Sequence, residues 1–309
     1  MKVSAKREWL TEGDFFIRPP LPSAAAFRLT NATKGTSLFL KGESLMKAAG
    51  SGMFRHYAYI DAGEDMHYWS NKGGTCTGEL VGIIVVPAWL PCPPGHVSNA
   101  YTFDFPVKYM ELTGTNQTMV HGGEEAIVDQ LIETAKKLER DGCRVICADC
   151  GYFGHFQKQV ANAVDIPVYL SGVIQVPWIR AGLKDHQKIG VLCADGPHLT
   201  YSLFQSCGVS KEDFERCIIV GAQDEEEFYK IDKNVGNLDS AKIRTELTEL
   251  VVKLQKEHPE IGAILLECTD MSPYIDSVQA AVNLPVFDAV TMIKFLYNTV
   301  AHRGCGGYL

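Results

Sequence analysis

Ile146-Cys147-Ala148-Asp149-Cys150 and Ile264-Leu265-Leu266-Glu267-Cys268 are two copies of one short unit, an apolar run closed by an acid and a cysteine. They lie 118 residues apart (264 − 146), and the offset persists beyond them: Val160 meets Val278, Ala163-Val164 meets Ala281-Val282, and Pro167-Val168 meets Pro285-Val286. Gap-free matching over such a window marks two related halves rather than two isolated cysteines. Each run is short, apolar and followed by a helix-like stretch, the pattern of a buried parallel strand feeding a crossover helix. A cysteine in that position stands at the carboxyl edge of a sheet, beside the first N–H groups of a helix, where α/β proteins place ligands.

Working outward, Val81-Gly82-Ile83-Ile84-Val85-Val86, closed by Pro87, predicts the strand that opens the first half. Lys188-Ile189-Gly190-Val191-Leu192-Cys193-Ala194 predicts its counterpart, and Cys217 to Gly221 a further strand. Gly123 to Asp141 carries Ile127, Leu131, Ala135 and Leu138 at spacings of three and four, as an amphipathic helix does. Leu238 to His258 and Asp288 to Val300 predict further helices, as does a pattern through Trp178 and Leu183. This alternation specifies an α/β fold of two pseudo-symmetric halves, each a parallel sheet flanked by helices. The first spans 79–187 and the second 188–287, with Lys184-Asp185-His186-Gln187 as the hinge between them. Residues 1–78 are polar and irregular, with Pro19-Pro20-Leu21-Pro22 and aromatics such as Trp9, Phe16, Tyr57 and Trp69. They form an N-terminal extension that either lies on the main body or a neighbouring subunit of a homo-oligomer, or is a partly disordered leader.

Composition narrows the class. A chain of 309 residues with 46% hydrophobic content can fill the cores of two ordinary domains. A net charge of −8 and a pI near 5.6 offer no basic stripe for nucleic acid or an anionic membrane, which leaves small-molecule chemistry. Ten cysteines in so long a chain, several inside apolar strands (Cys147, Cys193, Cys217), fit a reducing intracellular compartment better than a disulfide scaffold. No apolar run reaches the ~18 residues of a membrane span, and Met1 to Arg7 leads into no apolar core of a secretory signal. The expected location is cytoplasmic, with an organelle left open.

Two thiols on opposite faces of one carbon can remove a proton on one side and return it on the other. A helix N-terminus is expected to lower the thiol pKa, and its N–H groups can receive charge as a carboxylate becomes enediolate-like. Paired cysteines, one per half, with Cys268-Thr269-Asp270 at the second, resemble the cofactor-independent aspartate/glutamate racemase superfamily over residues 79–300. That resemblance implies Cys150 and Cys268 as catalytic groups, no cofactor, no metal and a small carboxylate substrate. It also implies that the last helix (288–309) packs back onto the first half. The usual Cys-Asn-Thr of amino-acid racemases is replaced by Cys150-Gly151-Tyr152, and the glycine-rich opening loop by Pro87-Ala88-Trp89. Asp149 to Phe153 and Leu265 to Tyr274 resemble segments of the Alma-type dimethylsulfoniopropionate lyases, in which a thiolate removes the proton α to the carboxylate and dimethyl sulfide leaves. An amino-acid racemase is the alternative enzyme, and a catalytically inactive ligand-binding protein the alternative from another class.

The substrate-contacting candidates are Thr269, Gly151, Tyr152, Trp89, Tyr101 and Asp270. Trp89 and Tyr101 are chosen because aromatic faces attract an onium cation. Thr269 offers an N–H and a hydroxyl to a carboxylate, whereas Asp270 either binds a cation or caps a helix. His96 and Asp104 are weaker acid-base candidates on loops, and His155 falls on a solvated helix surface. Cys147 faces Leu265 in the repeat and reads as core, not as a redox partner of Cys150. No second ligand pair at zinc spacing accompanies His155 or His198, and phosphate-loop and dinucleotide glycine patterns are absent.

Overall fold

The computed structural model describes residues 76–303 and Tyr57. Apart from Tyr57 and Cys76–Gly78, the segment read as an N-terminal extension lies outside the described residues. The first sheet contains β1 (Val81–Val85), β2 (Val107–Glu111), β3 (Val145–Ala148) and β4 (Val168–Tyr169) in the order β2-β1-β3-β4. The second contains β5 (Lys188–Cys193), β6 (Cys217–Gly221), β7 (Ile261–Leu266) and β8 (Val286–Phe287) in the order β6-β5-β7-β8. Every pairing is parallel. The repeat survives in the register, because Ile146 pairs with Val168 and Ile264 with Val286, both 118 residues on.

Helices cover these sheets. In chain order they are α1 (Gln117–His121), α2 (Val128–Arg140), α3 (Gln157–Ala161), α4 (Val176–Ala181), α5 (Tyr201–Ser206), α6 (Lys211–Glu215), α7 (Phe228–Asp232), α8 (Ser240–Glu257), α9 (Ile275–Val282) and α10 (Ala289–Val300). The periodic stretch before β3 resolves into a 3-10 turn, Glu125–Ile127, and α2, whose buried stripe is Leu131, Ala135 and Leu138. In α8 the matching stripe is Ile243, Leu247, Val251 and Leu254. Asp288 caps α10 through a capping box with Thr291.

Strand β2 was not evident as a strand. Val107-Lys108-Tyr109-Met110-Glu111 sits on a sheet edge and is nowhere fully buried, so it lacks the continuous apolar run of a central strand. Beneath β1 and β3, Val81, Ile83, Val145 and Cys147 pack against Ala289, Ile293 and Leu296 of α10, which places the last helix on the first sheet. The other faces of both sheets share a second, larger cluster. One glycine is required by a close approach: Gly95 has φ +101°, and a Cβ there would lie 2.8 Å from the Pro273 Cα. That fit presses the loop after β1 against the turn after β7.

Candidate active site

Strands β3 and β7 both end one residue before an acid and two before a cysteine. Asp149-Cys150 and Glu267-Cys268 therefore leave the sheets together at their carboxyl edges. Each cysteine has extended backbone and precedes a six-residue 3-10 helix, Gly151–Phe156 or Thr269–Tyr274, that runs into α3 or α9. The predicted helix starts are thus 3-10 turns. Cys150 and Cys268 line one cavity of about 640 Å³, counted out to its open mouth. Val86, Ala88, Leu90, Cys92, His96 and Ser98 of the loop after β1 also line it, as do Gln117, His121, Ala194, Ile231 and Asp232.

The two thiols have different neighbours. Cys268 Sγ donates to Asp270 Oδ2 at 3.5 Å, and His96 Nε2 lies 3.3 Å from Asp270 Oδ1. Ser98 N–H donates to His96 Nδ1 at 3.0 Å, which leaves Nε2 to carry a proton toward Asp270. Burial and the Ser98 N–H at Nδ1 work against a charged imidazole here, whereas the Asp270 carboxylate pulls the His96 pKa upward. Burial likewise opposes ionisation of Asp270, whereas His96 holds its pKa below the usual carboxylate range. Cys150 has the Tyr152 N–H near its sulfur, and Asp149 and Glu267 beside it.

Both thiols are pushed well above the ordinary thiol range, Cys268 by burial and by Asp270 and Glu267, Cys150 by burial and by Asp149 and Glu267. The N–H groups that open the turns do favour the thiolate, Tyr152 N–H at Cys150 and Asp270 N–H at Cys268, but burial, the largest effect, outweighs them and the adjoining acids add to it.

Those acids occupy equivalent positions in the repeat (149 + 118 = 267) yet have opposite environments. Asp149 accepts from Val86 N–H at 3.0 Å and Ser98 Oγ–H at 2.9 Å, and burial lifts it to about 6. Glu267 is fully buried, neither oxygen has a hydrogen-bond partner, and desolvation raises it to about 8. A Cβ on Gly151 would come within 1.8 Å of Glu267 Oε1, so only glycine lets the turn after Cys150 lie over this carboxyl.

The structure gathers Cys150, Cys268, Gly151, Tyr152, Thr269 and Asp270 around the cavity. Thr269 does so differently from expectation, because its hydroxyl donates to the Asp149 carbonyl and joins the halves. Tyr152 is also committed: its hydroxyl donates to Asp195 O at 2.7 Å and accepts from Asp195 N at 2.8 Å. Asp270 neither caps a helix nor stands free but joins Cys268 to His96. Trp89 and Tyr101 are 73% and 92% exposed and do not line the cavity. Trp89 is drawn outward instead, its N–H donating to Asn234 Oδ1 and its ring lying over Gly236. Asp104 is exposed and away from the cavity, whereas His155 is half-buried rather than solvated, against Gly123. Cys147 is fully buried. Ser98, Gln117, His121 and Asp232 were not singled out, since they come from separate loops and short helices that no local motif joins.

No family model matches the chain. A glycine-to-cysteine variant of arylmalonate decarboxylase with sulfate bound shares the fold, with a TM-score of 0.50, 16% identity, and coverage of 74% of this chain and 97% of that one. Dimethylsulfoniopropionate lyase 7 of Emiliania huxleyi (strain CCMP1516) is 32% identical over 225 residues, 70% of this chain and 65% of the relative. Dimethylsulfoniopropionate lyase of Durusdinium sp. clade D is 31% identical over 209 residues, 65% of this chain and 68% of the relative. The chain spans about two thirds of the length of these relatives. At that identity and coverage, the chain belongs to the dimethylsulfoniopropionate lyase family.

Proposed function

We propose that this chain cleaves dimethylsulfoniopropionate to dimethyl sulfide and acrylate, with Cys268 as the base. The observation that carries this is the pair of cysteines in one cavity, of which Cys268 alone has a carboxylate at its sulfur that is itself backed by a histidine. The names of the relatives supply the substrate. The Cys268 thiolate takes the proton from the carbon α to the carboxylate. The electrons of that C–H bond form the Cα–Cβ double bond, and the Cβ–S bond breaks with its electrons on sulfur. Dimethyl sulfide leaves neutral and needs no proton. One proton is released per turnover: the resting Cys268 thiol first gives its proton through Asp270 to solvent, and the proton taken from the α-carbon restores that thiol.

Both thiols are neutral in the free site, so the thiolate must be favoured when substrate arrives. A sulfonium brought beside Cys268 does this by opposite charge, as any cation within a few ångströms of an ionisable thiol does. The substrate carboxylate is assigned to the starts of the two 3-10 turns, where backbone N–H groups without intrahelical partners are available. Cys150 shapes and polarises the site, since an elimination, unlike a racemisation, needs one base only.

The test is to offer the purified protein dimethylsulfoniopropionate and both enantiomers of aspartate and glutamate. Dimethyl sulfide and acrylate in equal amounts are expected, with little α-deuterium entering either amino acid in heavy water. Rapid deuterium uptake into an amino acid without sulfide release would make the protein a racemase and overturn the reading.

A further inference from the structure

The substrate proposed above is a zwitterion, and among the described residues no lysine or arginine lines the cavity. Three carboxylates stand there instead, Asp149, Asp232 and Asp270. Asp149 is taken by Val86 N–H and Ser98, and Asp270 by His96 and Cys268. Asp232, the last residue of α7, is different: its side chain is 4% exposed, one oxygen is held by Lys233, and the other lies 3.9 Å from His121 Nδ1.

His121 does not cancel that charge. Burial lowers its pKa below the ordinary imidazole value, so it is neutral near pH 7, and its ring rests on Tyr152 with centroids 4.0 Å apart. Lys233 is half-exposed and its charge is shared with water. The same cavity that Cys268 lines thus offers one buried carboxylate oxygen beside a neutral ring, and the exposed aromatics Trp89 and Tyr101 do not line it.

We propose that Asp232, backed by His121, is the subsite for the positive pole of the substrate, a sulfonium or another onium carried by a small carboxylate. This rests on the reading of the cavity as the site of an onium carboxylate, and it assigns a specificity-determining role to a residue far in sequence from either cysteine. With the carboxylate at the 3-10 turns and the onium at Asp232, the α-carbon is held over Cys268.

The experiment measures binding, so that it does not depend on turnover. In a Cys268→Ala background, calorimetry compares dimethylsulfoniopropionate with its carbon isostere 4-methylpentanoate, which keeps the carboxylate and is neutral only where the sulfonium stood. Asp232→Asn should weaken the onium ligand roughly 10-fold or more while leaving the neutral one within about 2-fold, and Asp232→Glu should restore part of the loss. Lys233→Met removes the competing cation and should tighten the onium ligand alone, a gain that misfolding cannot produce. Equal losses for both ligands, or no loss, would overturn the proposal. So would an onium preference abolished by a chelator and restored by a divalent ion. The ligand atoms of His121, Asp195 and Asp232 lie within 4.8 Å of one another, and that result would give them to a metal. If sulfide release fails yet the Asp232-dependent onium preference holds, the proposed reaction falls and the subsite stands.

Discussion

Glu267→Gln tests the physics of the cavity floor most directly. The unfolded carboxyl ionises near 4.5, but in the folded chain it stays protonated to about 8, because the charged form would be fully buried with no partner. Between those values the folded state holds a proton that the unfolded state has released, so stability falls as pH rises. The slope is about 1.4 kcal/mol per pH unit, and 3.5 units (8 − 4.5) make a total of the order of 5 kcal/mol. Below pH 4.5 this penalty is absent, and above 8 it is constant. Glutamine has nearly the shape of the protonated acid and no charge, so the variant should lack this slope. Denaturant unfolding of both proteins at several pH values from 5 to 9 measures it, and other titrating groups cancel in the difference. The expected result is a stability advantage for Glu267→Gln that grows by several kcal/mol toward pH 8. Parallel curves would refute the reasoning, for they would mean that the carboxyl is already charged in the folded protein.

Other outcomes follow from the same contacts. Cys268→Ala and Cys268→Ser should abolish dimethyl sulfide release, measured by gas chromatography, while the unfolding transition stays within about 1 kcal/mol, and Cys150 variants should be impaired less. Cys147→Ala should do the reverse, costing about 1–2 kcal/mol of stability under α10 with turnover per folded molecule kept. His96→Gln removes the partner of Asp270 and should raise the Asp270 pKa, lower kcat/KM at least about 10-fold and cost ~3–5 kcal/mol, read from a pH–rate profile and denaturant unfolding.

How much of this was legible from residues depends on range. The sheets were readable because central parallel strands are continuous apolar runs, and the repeat at 118 residues by itself set both cysteines at equivalent edges. Edge strand β2 was not, since its exposed face demands no apolar residues. Trp89 and Tyr101 misled for a related reason. Composition says that an aromatic stands on a loop, but the loop's hydrogen bonds decide where it points, and Asn234 turns Trp89 outward.

The repeat itself conceals the asymmetry that matters for chemistry. Asp149 and Glu267 are one position seen twice, and a sequence comparison gives them one role. The loop after β1 brings hydrogen bonds from Val86 and Ser98 to the first, whereas among the described residues none reaches the second, so burial lifts one to about 6 and the other to about 8. The same loop brings His96 to Asp270, two residues past Cys268, and no equivalent pair serves Cys150 among the described residues. A single loop, held against Pro273 by Gly95, therefore gives two similar thiols different surroundings, Cys268 next to an aspartate paired with a histidine and Cys150 without such a pair among the described residues. The proposed elimination needs only one such thiol, since the electrons left on the α-carbon form the double bond and expel the sulfide, and no second thiol has to return a proton.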